Sequence, residues 1–222
     1  MAFSGERQDD NAAAPRSASA CHLYLISPLA VGGQFPNRLA NALAAAPVAA
    51  FQFRVKDIAE HEAALLAEPL QRLCDDARCA FIVNDSVALA RRLGADGVHL
   101  GQSDGPVADA RARLGRDAQI GVTCHASRHL AMEAGEAGAD YVAFGAFFSS
   151  ATKASEHRPG PELLAWWQAL FELPCVAIGG ITPENCAPLV RAGADFLAVS
   201  AAVWNGDEAA AVRAFHAAIA AA

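Results

Sequence analysis

Residues 81–104 read FIVNDSVALARRLGADGVHLGQSD, and two short apolar runs in this stretch, FIV and GVHL, each stop at an acid, Asp85 and Asp104. Asn84 precedes the first acid and Gln102 stands just before the second. Two carboxylates without a His or Cys companion make a hard oxygen donor set. Such a set suits Mg²⁺, which takes one or two protein carboxylates and completes its shell with water and substrate phosphates. Taken singly, either acid reads as a helix N-cap, because Asp is favoured there and a plausible helix follows each. Upstream, FQFRVK at 51–56 alternates, so that Gln52, Arg54 and Lys56 share one face while Phe51, Phe53 and Val55 share the other. Cations beside paired acids make either a structural ion pair or an anion site. Next to a magnesium-type donor set, the anion expected is a diphosphate.

The elements that must position these groups follow a repeating grammar. The phrase GAD followed by an apolar run occurs at 94–101, 138–145 and 193–200. Gly after a helical pattern is a stop signal, and the apolar run is a buried strand. Further strands read at 23–27, 49–55, 80–84, 119–124 and 175–180, with helical patterns between them. In ITPENCAPLVRAG, Thr182 is expected to cap a helix that Pro183 opens and Gly193 ends. Strand and helix alternate through the chain, and the fold class is α/β, a single (β/α)8 TIM barrel; a doubly wound sheet is the alternative. In a barrel the chemistry gathers at the C-terminal ends of the strands. There the sequence brings together Gln52 to Lys56, Asn84-Asp85, Gly101 to Asp104, Thr123 to His125, the loop from Gly145 to Lys153, Gly179-Gly180 and Val199-Ser200.

Composition limits what the chain can do. At 222 residues and 54% hydrophobic, it can bury one large core. Residues 1–20 have no apolar run and are expected to be a disordered N-terminal tail, leaving 21–222 as the barrel domain. A net charge of −7 argues against nucleic acid as a partner, and no segment has membrane-spanning apolar length. The six cysteines form neither CxxC pairs nor zinc spacings, so reduced thiols and a cytoplasmic location are expected. Among 17 basic residues only Lys56 and Lys153 are lysines, and both fall at strand ends. A compact ammonium is a different tool from the guanidinium fork used elsewhere in the chain.

The strings QFRVK, ND, GVHLGQSD, GVTCHAS, FGAFFSSATK, AIGGI and AVS, in this order, resemble the motifs of the thiamine phosphate synthase family over residues 22–205. The resemblance implies a transferase that joins an aminopyrimidinylmethyl diphosphate to a thiazole phosphate, or its carboxylated form, with release of pyrophosphate. It implies Mg²⁺ on Asp85 and Asp104. It puts the pyrimidine diphosphate on Gln52, Phe53, Arg54, Val55, Lys56, Asn84, Thr123 and Lys153, with Arg54, Lys56 and Lys153 stabilising the leaving group. It puts the thiazole phosphate on Ser150, Ala151, Thr152, Gly180, Val199 and Ser200. Small-molecule substrates are therefore the expected partners, and a homodimer is left open. The sequence departs from the family pattern at Ser27-Pro28 and at Ser149-Ser150, and both changes are expected to touch the thiazole side. Two alternatives are a thiazole tautomerase of the same superfamily, with His125 as its acid–base group, and a catalytically silent phosphate-binding barrel. A tautomerase has no use for two metal ligands. His99, inside a strand, is read as a satisfied core histidine.

Overall fold

The computed structural model describes residues 21–149 and 158–222. The expected tail at 1–20 and the residues Ser150, Ala151, Thr152 and Lys153 lie outside the described residues. The strands are β1 (His22–Ile26), β2 (Ala50–Phe53), β3 (Ala80–Asn84), β4 (Gly97–Leu100), β5 (Gln119–His125), β6 (Tyr141–Gly145), β7 (Cys175–Ile178) and β8 (Phe196–Val199). They pair in parallel in sequence order, and β8 closes on β1, with Leu23 opposite Leu197 and Leu25 opposite Val199. The helices are α1 (Phe35–Ala45), α2 (Glu60–Ala77), α3 (Val87–Leu93), α4 (Val107–Leu114), α5 (Arg128–Glu136), α6 (Glu162–Leu170), α7 (Ala187–Arg191), α8 (Ala201–Trp204) and α9 (Glu208–Ala220). The closed barrel excludes the doubly wound sheet.

Alternation along each strand divides the core in two. One set of side chains, including Leu23, Leu25, Phe51, Phe53, Phe81, Val98 and Leu197, packs against the helices. The other set, Tyr24, Ile26, Ala50, Ile82, Tyr141, Ala143, Val176 and Ala198, fills the barrel. Barrel interiors are dominated by branched aliphatics. Here small alanines make space for two tyrosines instead.

The GAD phrases end helices as expected: Gly94, Gly138 and Gly193 all have positive φ. Their aspartates have a further task. Oδ2 of Asp96, Asp140 and Asp195 accepts the backbone N–H of Phe81, Ile120 and Cys175 respectively. Each GAD acid therefore ties the start of its own strand to the start of the preceding one, at the face opposite the strand C-termini.

Two local expectations are corrected. β2 ends at Phe53, so Arg54 and Lys56 stand on the loop after it and do not share a strand face with Gln52. α7 begins at Ala187, not after Thr182. The Asn185 side chain accepts from the Thr182 N–H and donates to the Gly180 carbonyl, which makes residues 182–185 a turn. All six cysteines are free and buried. No helix among the described residues is long and apolar enough to cross a membrane.

Candidate active site

The paired acids are not helix caps. Ser86 caps α3, its hydroxyl accepting from the Leu89 N–H, and Pro106 holds the N-cap position of α4. Asp85 sits instead in a three-residue turn, with the Ser86 N–H returning to the Asn84 carbonyl and its own N–H bonded to the carbonyl of His99 on β4. Its φ of 65° lies in the left-handed region, which Asp tolerates better than most residues. The Asp104 carboxylate accepts the Gly101 N–H at 2.7 Å, which folds the loop after β4 back toward the strand end. Both acids are half-buried.

Their electrostatics show how close they are. Burial, and then the hydrogen bond and charge of Asp104, push the Asp85 carboxyl above its ordinary range, while Lys56 and Arg54 pull it down. Neither cation forms an ion pair with either acid among the described residues. The structural ion-pair reading therefore fails there: the cations stand near the acids without being spent on them. A carboxylate whose proton affinity is raised by burial and by a neighbouring acid is one that a hard dication would relieve. No cluster of three or more His, Cys, Asp or Glu competes for a metal among the described residues.

The other expected residues differ in their access. Lys56 and Asn84 line a hollow of about 160 Å³ together with Phe53, Val55 and Ser86. Thr123 is half-buried at the end of β5, and its carbonyl accepts from the Gln102 amide. Gln52 is deeper than expected: it is 4% exposed, and its amide nitrogen donates to the Tyr24 hydroxyl at 2.9 Å. Phe53 and Val199 belong to the helix-facing core, and Val55 packs partly buried against it. His125 is exposed at the end of β5, with φ of 52°.

Gly180 and Ser200 lie at the ends of β7 and β8. A Cβ on Gly180, whose φ is 63°, would come within 2.4 Å of the Ser149 carbonyl oxygen. The Phe148 N–H bonds to the Gly179 carbonyl. The Gly-Gly pair therefore lets the loop after β6 lie directly against the loop after β7, which is more than a plain turn requires.

Two contributions escaped sequence reasoning. The buried Ser27 hydroxyl donates to the Arg54 carbonyl at 3.1 Å and accepts the Arg54 N–H at 2.9 Å. It clamps the backbone of Arg54, one of the residues expected at the diphosphate. His99 is satisfied, as expected, but it also links to the site. Its Nδ1 meets the Tyr141 hydroxyl at 3.0 Å and its Nε2 meets Thr123 Oγ1 at 2.8 Å. Burial lowers its pKa to about 4 despite an upward pull from Asp104.

Fold and mouth together define a class: a (β/α)8 barrel whose strand ends carry paired hard acids beside cations that are not ion-paired to them. The family model described as thiamine monophosphate synthase matches residues 23–203. The chain is 70% identical over 204 residues to the thiamine-phosphate synthase of Erythrobacter litoralis, covering 90% of this chain and 96% of that protein. It is 55% identical to the thiamine-phosphate synthase of Rhodospirillum centenum, covering 83% of this chain and 90% of the relative. Among solved structures, a thiamine phosphate pyrophosphorylase from Pyrococcus furiosus superposes with a TM-score of 0.81 at 28% identity, over 92% of this chain and 98% of the other. The chain belongs to the thiamine monophosphate synthase family.

Proposed function

We propose that this protein is a transferase that makes thiamine phosphate from an aminopyrimidinylmethyl diphosphate and a thiazole phosphate, releasing pyrophosphate. The observation that carries the reading is the pairing of Asp85 with Asp104 beside Arg54 and Lys56, with neither cation ion-paired to the acids. Asp85 and Asp104 would hold Mg²⁺, which when bound neutralises charge on the diphosphate. Arg54, Lys56 and Lys153 would bind the diphosphate oxygens, with Asn84 and Thr123 completing the contacts and Gln52 reaching from the barrel floor. Gly180, Val199 and Ser200, with Ser150, Ala151 and Thr152, would hold the thiazole phosphate; a phosphate site after the last two strands recurs in this fold.

In the reaction the bond between the methylene carbon and the diphosphate oxygen breaks, and its electron pair leaves with the diphosphate. The thiazole nitrogen lone pair forms the new carbon–nitrogen bond. No side-chain nucleophile is needed. The chain's cations stabilise charge that grows on the leaving group, and the mouth holds the two rings together. The test is to mix protein, both substrates and Mg²⁺ and to assay pyrophosphate and thiamine phosphate. Equal amounts of both products are expected. Absence of both with folded protein would refute the reading.

A further inference from the structure

A chain of hydrogen bonds runs through the barrel interior from β2 to β5. Gln52 Nε2 donates to the Tyr24 hydroxyl, which lies 3.0 Å from the Tyr141 hydroxyl. Tyr141 meets His99 Nδ1, and His99 Nε2 meets Thr123 Oγ1. Four strands beyond β2 contribute or flank these groups, and the path is built rather than incidental. A Cβ on Gly121 would fall 1.9 Å from the Tyr141 ring, so that position is kept bare to admit the ring. The rings of Tyr141 and His99 stack with centroids 5.6 Å apart.

Proton counting gives the chain a direction. An amide nitrogen can only donate, so Tyr24 accepts from Gln52. If Tyr24 then donates to Tyr141, and Tyr141 to Nδ1, a neutral His99 carries its proton on Nε2 and donates it to Thr123. Every buried proton in the chain is then used. In the reverse direction Tyr24 would accept twice, and its own proton would be left without an acceptor among the described residues, which is costly. Among the described residues the Thr123 hydroxyl has no other side-chain or backbone partner, so its own proton is available at the mouth.

We infer that Gln52, Tyr24, Tyr141 and His99 fix Thr123 as a hydrogen-bond donor to the substrate, with His99 a positioning residue that acts through Thr123. The ligand atom must then be an acceptor: a diphosphate oxygen or a pyrimidine ring nitrogen, and not the amino group. This assignment rests on the proposed pyrimidine diphosphate site, but the tautomer of His99 does not depend on it.

The test reads that tautomer directly by ¹⁵N NMR on the full chain at neutral pH, with His99 assigned by single substitution of the remaining histidines. The expected form is Nε2–H; an Nδ1–H form would overturn the inference, whether or not the protein turns over. In Tyr141→Phe the ring should become a mixture of tautomers and kcat/KM should fall about tenfold, the worth of one hydrogen bond. An unchanged tautomer together with unchanged kinetics in that variant would also overturn it. Thr123→Val should weaken inhibition by either inorganic pyrophosphate or the pyrimidine alcohol that lacks the diphosphate, which identifies the acceptor, and Thr123→Ser should restore it. Unchanged inhibition by both in Thr123→Val would show that no acceptor is bound there.

Discussion

At the scale of single residues, the electrostatics of Asp85 and His99 yield separate tests. Asp85 and Asp104 stand together at half-buried positions, and a bound dication would relieve their mutual repulsion. Mg²⁺ should therefore raise the melting temperature of the wild-type protein, by an amount that grows with concentration, and should leave Asp85→Asn unmoved. Calorimetric melts with and without EDTA measure this without any substrate; an equal shift in both proteins would place the ion elsewhere. His99 makes a different prediction. Its pKa falls from 6.5 to about 4 on folding. Between those values the unfolded chain takes up a proton that the folded chain refuses, so this contribution is complete above 6.5 and is lost as the pH falls toward 4. A shift of this size corresponds to about 3 kcal/mol. Urea unfolding at neutral pH and at the acid limit of this window should show the wild type losing that much more stability than His99→Gln does.

At the scale of elements, the loop after β2 depends on the end of β1. Ser27 holds both the N–H and the C=O of Arg54 through one hydroxyl. Ser27→Ala leaves two backbone groups without that partner and should cost about 2 kcal/mol, the usual penalty for a buried polar group that loses its bond. It should also raise KM for the pyrimidine diphosphate several-fold, because Arg54 would no longer be held in place. Steady-state kinetics beside a denaturant titration separate the two effects. Loss of stability with unchanged KM would mean that the clamp serves only the fold.

At the scale of the whole molecule, the two ends of the barrel divide the work. The strand C-termini carry the acids, cations and glycine-rich loops, while the opposite face carries Asp96, Asp140 and Asp195, each bonded to the N–H of a neighbouring strand. Asp140 is further held by Arg111 at 2.5 Å. Replacing Asp96 with Ala should cost about 1–3 kcal/mol through loss of a charge-assisted bond. It should leave kcat of the folded protein unchanged, because the change is at the far end from the mouth. A large fall in kcat at full folding, measured below the melting transition, would show that the ends are coupled.

The sequence by itself determined where the strands lie, because a short apolar run bounded by a helix stop and a polar turn is information held within ten or so neighbouring residues. β3 and β4 fall where FIVN and GVHL place them, and the pair of acids that follows them was legible from residue types alone. Tertiary structure decided the rest. Whether Asp85 and Asp104 capped helices or faced each other depended on Ser86 taking the cap and on a turn held by the His99 carbonyl. That Ser27 grips Arg54, and that His99 reports to Thr123 through a chain beginning at Gln52, could not be read from spacing. Those residues lie on different strands or on the loops that follow them, and only closure of β8 onto β1 brings the strands of the Gln52-to-Thr123 chain around one interior. Once removed from water, each group there must find its partner within hydrogen-bond reach, however far away it lies along the chain.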